Sequence, residues 1–106
     1  MKKRNIAILG STGSIGTSTL EVIKKKRSKF NIELLTANNN YKKLIEQAKI
    51  FKPNNVLINN KKHYKKVQKG LKNKKIKIYF GNVPLNNIIS KKLDYTMSAI
   101  VGVAGL

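Results

Sequence analysis

Three glycines at a spacing of three, Gly10, Gly13 and Gly16, constrain this chain more than any other feature. They lie in Ile6-Ala-Ile-Leu-Gly10-Ser-Thr-Gly13-Ser-Ile-Gly16-Thr, between a short apolar run and a segment of helical period. Gly10 lets the chain turn sharply off a strand. Gly13 has no side chain, so backbone can approach a diphosphate, and Gly16 lets the next helix pack close to the sheet. The first N–H groups of that helix, with the positive end of its dipole, then favour an anion. Thr12 and Ser14 add hydroxyl donors. A glycine-rich turn with no ligand shares this spacing. The strand before it, the helix after it and a second strand beyond it favour a dinucleotide. No Gly-Lys-Ser/Thr follows, which argues against a triphosphate loop.

The rest of the chain alternates short apolar runs with helix-period segments, the pattern of a parallel α/β sheet. Asn5–Leu9 reads as a buried strand. From Ser14 to about Lys26 the period is helical, with Ile15, Thr19, Leu20, Val22 and Ile23 on one arc of about 160°. Ile32–Thr36 is a second strand. Tyr41, Leu44, Ile45, Ala48 and Phe51 share a face of a second helix, which Pro53 stops. Val56–Ile58 is a third strand. From Lys61 to Lys72 a third helix sets six lysines against Tyr64, Val67 and Leu71. Ile76–Phe80 alternates apolar residues with lysine, as an edge strand does. Pro84 opens a short helix with Leu85, Ile88 and Ile89, and Tyr95–Val101 is a fifth strand. The expected fold is a Rossmann-type open parallel sheet of about five strands alternating with four helices.

Residues 1–106 read as one dinucleotide-binding domain. The chain runs apolar to its last residue, and Gly102 and Gly105 suggest another strand-to-helix turn. A domain incomplete at its C-terminus is therefore expected, as a truncated chain or a broken reading frame would give. There is no cysteine, which excludes a disulfide framework and a thiolate metal site. One histidine and four acids (Glu21, Glu33, Glu46, Asp94) leave little to build a metal centre. The apolar runs are too short to span a membrane, and Lys2-Lys3-Arg4 with Ile6–Leu9 is too short for a signal peptide. A cytoplasmic location is the default. The net charge of +19 raises a nucleic-acid partner. Yet the basic residues are 21 Lys against two Arg, and Lys, Asn and Ile make up 47 of 106 residues. These three share A/T-rich codons. Specific nucleic-acid readers draw on arginine, so base composition accounts for the charge better than a nucleic-acid partner does.

The choice of dinucleotide turns on the end of the second strand. An NAD site places an acid there, for the ribose 2′-OH. Here the strand ends Thr36-Ala37-Asn38-Asn39-Asn40, and Glu33 lies too early. Neutral amides tolerate a 2′-phosphate, with Lys42 and Lys43 just beyond, so NADP(H) is favoured. The alternative is a turn of asparagines that accept positive φ, set by codon bias. His63 reads as a surface residue, and Tyr95 and Ser98 as packing residues. Residues 98–102 lie at a strand's carboxyl end, where a cofactor contact is open. No Ser/His/Asp set or carboxylate pair is present to carry chemistry.

The stretch 6–23, with ILGSTGSIGTSTLEVI in it, closely resembles the N-terminus of the 1-deoxy-D-xylulose 5-phosphate reductoisomerase family. The closing SAIVGVAGL resembles that family's fifth strand and following turn, at a fitting distance. The resemblance covers the whole chain but only the first part of the family's length. It implies an NADPH-dependent oxidoreductase that converts 1-deoxy-D-xylulose 5-phosphate to 2-C-methyl-D-erythritol 4-phosphate with Mg²⁺ or Mn²⁺, in the non-mevalonate route to isoprenoid precursors. It carries cofactor contacts onto Thr12, Gly13, Ser14 and Ile15, beside Gly10. A second cluster, usually Gly-Lys-Asn, falls on Asn38, Asn39 and Asn40. Asn40 matches; Asn38 replaces a glycine, and Asn39 replaces a lysine that would face the 2′-phosphate. The family's metal ligands and substrate-phosphate residues fall beyond residue 106. No catalytic or metal-binding residue is therefore assigned here, and the chain alone is expected to be inactive. The sugar-phosphate substrate would need the missing domain, and pairing of two full-length copies stays open. Two other readings remain: the cofactor domain of another NADP-dependent reductase, such as a semialdehyde dehydrogenase, and a basic nucleic-acid-binding module.

Overall fold

The computed structural model describes residues 4–72, 74–89, 93 and 95–98. Five parallel strands form one sheet: β1 (Arg4–Leu9), β2 (Phe30–Ala37), β3 (Asn55–Ile58), β4 (Lys77–Phe80) and β5 (Tyr95–Ser98). Their order is β4-β3-β2-β1-β5. Four helices alternate with them: α1 (Ser14–Lys25), α2 (Tyr41–Phe51), α3 (Tyr64–Gly70) and α4 (Leu85–Ile88). The chain winds outward from β1 to β4, then crosses back to place β5 on the free side of β1. Right-handed crossovers in opposite directions put their helices on opposite faces. Accordingly, Leu20, Ile23, Leu44, Ala48, Phe51, Val67 and Leu71 cover Ile6, Ile8, Ile32, Leu35, Val56 and Ile58 on one face. Ile88 and Ile89 cover Ala7, Leu34 and Leu57 on the other. The winding reverses between β1 and β5, so the carboxyl end of β1 stands at the point where open α/β sheets bind ligands.

The helix α2 keeps the bounds its periodicity predicts. Asn40 caps it by accepting from Lys43 N at 3.2 Å, and Lys52 ends it in the left-handed region ahead of Pro53. The third helix differs: it enters through a 3₁₀ turn, Lys61–His63, which Asn60 caps by accepting from Lys62 N. An asparagine side chain competes with helical bonding at such an entry, so the α-helical part is shorter than the lysine pattern suggests.

Two corrections concern side chains. In α1 the buried stripe is Gly16, Leu20 and Ile23. Ile15 and Val22, expected inside, are 50% and 59% exposed. The cause is Gly16: it draws the helix onto the β1 turn and so rotates the contact stripe away from Ile15. The exposed pair lines an open groove with Ser14, Ser18 and Thr19. In β2, Ile6 pairs with Ile32 but Ala7 with Leu34, so Glu33 is the extra residue of a bulge. Its carboxylate is buried and accepts from the Asn31 and Asn54 amides, while its backbone oxygen accepts from Asn55 Nδ2 at 2.8 Å. The two asparagine donors meet the buried carboxyl group near the amino end of β3, far from the carboxyl ends.

Among the described residues, no helix is long and apolar enough to cross a membrane. The fifth strand's expected continuation over 99–101, the turn at Gly102 and Gly105, and Asp94 lie outside the described residues, as do the side chains of Tyr95 and Ser98.

Candidate functional site

The turn after β1 divides into a half that the protein binds to itself and a half that it leaves open. Gly10 has φ of 75°, a left-handed conformation that a side chain would strain. Its N–H donates to Thr36 Oγ1 at 2.8 Å, and Ser11 N–H donates to Thr36 O at 2.8 Å. The Ser11 hydroxyl donates to Gln47 Oε1 at 2.8 Å, and Gln47 Nε2 donates back to Ser11 O at 2.8 Å. Ser11 is fully buried and Gln47 nearly so. Gly10 and Ser11 therefore have no N–H left for a ligand.

The open half follows. Gly13 N–H donates to Gly10 O at 3.3 Å, closing the turn. Among the described residues, Thr12 N–H and the first-turn N–H groups of Ser14 and Ile15 have no internal acceptor, nor do the Thr12 and Ser14 hydroxyls. The four-residue offset of helical bonding leaves the first N–H groups free. No side chain caps α1, and its first turn holds no acid. Its positive end is thus uncompensated, which suits an anion.

The glycines separate structural need from ligand room. A Cβ on Gly16 would come 2.5 Å from Gly10 O and 2.6 Å from Ser11 Cα, so only glycine fits. A Cβ on Gly13 would meet only Gly10 O, at an ordinary 3.6 Å. Gly13 has φ −74° and ψ 173°, which any residue adopts. Neither packing nor conformation demands glycine at 13. The bare backbone at 13 leaves room for a ligand to approach the turn.

Asn38, Asn39 and Asn40 lie at the carboxyl end of β2, all exposed. Each uses its side-chain oxygen internally. Asn38 Oδ1 accepts from Asn59 Nδ2 at 2.6 Å, Asn39 Oδ1 from Asn60 Nδ2 at 2.8 Å, and Asn40 Oδ1 from Lys43 N. What remains is three amide NH₂ groups, which are donors only. Lys42, Lys43, Lys61 and Lys62 follow these two turns directly in sequence. The site could therefore hold a diphosphate at Gly10–Ile15 and a second phosphate at Asn38–Asn40.

His63, expected at the surface, is half-buried and stacked on Tyr41 with ring centroids 4.6 Å apart. Lys66 Nζ lies 4.9 Å from the Tyr41 ring centroid. Among the described residues, no group of three or more His, Cys, Asp or Glu could hold a metal ion. The sequence reading missed Thr36, Gln47, Asn59 and Asn60. Gln47 carried a signal: it lies on the stripe Leu44-Gln47-Ala48-Phe51, a polar residue on an apolar face. Asn59 and Asn60 carried one as well, since they end β3 as Asn38 and Asn39 end β2.

The family model for 1-deoxy-D-xylulose 5-phosphate reductoisomerase matches residues 6–106. The reductoisomerase of Pelagibacter ubique is 49% identical over 108 residues, covering all of this chain and 27% of its own length. That of Buchnera aphidicola is 44% identical, again over all of this chain and 27% of its own. Among solved structures, the Zymomonas mobilis reductoisomerase in complex with NADPH superposes with a TM-score of 0.86 at 31% identity, covering 93% of this chain and 26% of that one. A reductoisomerase in complex with magnesium gives 0.84 at 32% identity, over 99% of this chain and 27% of the other. The chain thus spans about 27% of the length of the curated relatives it matches. Family model, sequence identity and superposition agree, and the chain belongs to the 1-deoxy-D-xylulose 5-phosphate reductoisomerase family.

Proposed function

We propose that this chain is the NADPH-binding part of a reductoisomerase that converts 1-deoxy-D-xylulose 5-phosphate to 2-C-methyl-D-erythritol 4-phosphate. One observation carries the reading: at Gly13 the fold tolerates a side chain, yet the residue is glycine, beside an uncapped helix start. The turn fits a dinucleotide. Gly10 shapes it, Gly13 leaves room, and the N–H groups of Thr12, Ser14 and Ile15 bond the diphosphate. The Thr12 and Ser14 hydroxyls add donors. Asn38, Asn39 and Asn40 bond the 2′-phosphate through their NH₂ groups, and Lys42 and Lys43 supply the charge that a lysine at 39 would have given. NADPH supplies the hydride when bound; these residues hold and orient it.

A related structure contains NADPH, fosmidomycin and magnesium. The described residues of this chain do not fit a metal, so no metal step is assigned to them. The chemistry belongs to groups that would have to come from outside these residues, and the chain alone binds cofactor without turning over substrate. The family match displaces the semialdehyde dehydrogenase-like alternative. Fluorescence titration of NADPH into the unsubstituted chain and into Gly13→Val tests the reading. Binding by the first and none by the second supports it; equal affinities reject it.

A further inference from the structure

We infer that Gln47 is the positioning residue of the diphosphate turn, acting through Ser11. This rests on the cofactor role proposed for that turn. The geometry leaves Gln47 one orientation. Ser11 O is an acceptor only, so it must receive the Gln47 NH₂; Oε1 is then turned to the Ser11 hydroxyl. The two bonds form a closed pair across a buried contact, with Ser11 fully buried and Gln47 6% exposed. Thr36 O holds the other side of the same residue, accepting from Ser11 N–H at 2.8 Å and lying 3.3 Å from its hydroxyl, while Thr36 Oγ1 accepts from the neighbouring Gly10 N–H. Ser11 is thus fixed at its amide, its carbonyl and its hydroxyl.

That fixation matters because Ser11 O belongs to the peptide whose N–H is Thr12's. A peptide is planar, so fixing the carbonyl direction fixes the opposed N–H direction. Gln47 thereby aims Thr12 N–H, the first open donor of the turn, without touching the ligand. The same helix is capped by Asn40, about two turns before Gln47. One rigid element, α2, therefore ends in the 2′-phosphate turn and clamps the diphosphate turn. Gln47 sets the spacing and the aim of the two phosphate sites together.

The test compares Gln47→Met with Val67→Ala, using NADPH as the probe and the 106-residue chain. Methionine keeps the volume and removes both bonds. Val67 is fully buried on α3 and forms no part of the turn. Its truncation lowers stability without loosening Ser11. Each variant is titrated well below its own melting temperature. Gln47→Met should bind NADPH about tenfold more weakly, the loss expected when the one hydrogen bond from Thr12 N–H to the charged diphosphate is misaimed, while Val67→Ala keeps the unsubstituted affinity. Equal weakening in both reduces Gln47 to a stability residue and overturns the inference, as does unchanged affinity in Gln47→Met. If Gln47→Met does not fold, Ser11→Ala takes its place, because it removes the hydroxyl that bonds Gln47. It should weaken binding by about threefold, and unchanged affinity there overturns the inference. Failure of the unsubstituted chain to bind NADPH is a different result: it rejects the proposed function itself.

Discussion

The side-chain amide of Asn59 donates to Oδ1 of Asn38 across 2.6 Å, and Asn60 repeats the contact on Asn39 at 2.8 Å. The ends of β2 and β3 are in register, Ala37 beside Ile58, so the two asparagine turns face each other residue for residue. The contact gives the β2 turn a polarity. With their oxygens engaged, Asn38 and Asn39 offer only N–H donors, which suit a phosphate, an acceptor throughout, better than a ribose hydroxyl, whose own proton they leave without an acceptor.

Removing the partner should remove the polarity. In Asn60→Ala the Asn39 amide is free to turn, and it loses its preference for presenting NH₂. NADPH should bind about threefold more weakly, the scale of one exposed hydrogen bond, with NADH unaffected. Titration of both cofactors gives the ratio. A parallel loss for the two would mean that Asn60 supports the fold and not the choice of cofactor.

Asn39 itself should respond to charge. Asn39→Lys brings a cation to the 2′-phosphate and should tighten NADPH by about two- to fivefold, as exposed ion pairs do. Asn39→Asp should weaken NADPH and leave NADH nearly unchanged, and the gap should narrow as salt screens the charge. Titrations at low and high salt check both signs. If neither substitution moves the NADPH/NADH ratio, the phosphate is not held at this turn.

Gly13 and Gly16 should fail in opposite ways. Gly13→Val keeps a permitted conformation and meets only an ordinary contact, so its melting temperature should stay close to that of the parent. NADPH binding should vanish, because the branched side chain fills the diphosphate's place. Gly16→Ala pushes a methyl group into Gly10 O and Ser11 Cα. It should cost about 1–3 kcal/mol of stability, the usual scale of overpacking. Thermal denaturation beside titration separates the two. A Gly16→Ala chain as stable as the parent would show that α1 does not rest on the turn.

Much of this site was legible in the sequence because its requirements are local. Gly10 turns the chain off β1 and Gly16 admits α1, each through neighbours a few residues away. What was hidden depends on elements meeting across the fold. The α1 stripe was misjudged because periodicity gives an arc but not its centre; the contact of Gly16 with the Gly10–Ser11 backbone sets that. The Glu33 bulge was invisible because two residues standing opposite one leave no mark on a single strand. Gln47 stands out in sequence only as a polar residue on the apolar face of α2; its partner, Ser11 in the β1 turn, lies 36 residues away and appears only in the fold.

The last prediction is that the 106-residue chain binds NADPH without oxidising it. The chain holds four acids. Glu21 and Glu46 are exposed on α1 and α2. Glu33 is buried at the bulge and occupied by asparagine amides. The fourth, Asp94, lies outside the described residues. Ligands of parallel sheets bind at the carboxyl ends of strands, and none of the three described acids stands there. A divalent ion acting as a Lewis acid needs several converging oxygens, which these three do not supply. Hydride transfer also needs the substrate held against the nicotinamide in a site closed to water. The groove on α1 between Ile15 and Val22 is an open surface and encloses nothing. The phosphate turns, by contrast, are local, so binding survives where turnover does not. Mixing the chain with 1-deoxy-D-xylulose 5-phosphate, NADPH and Mn²⁺ should leave the nicotinamide absorbance constant, while titration still reports binding. Steady, substrate-dependent oxidation would place the chemistry inside these 106 residues and overturn the division of labour argued here.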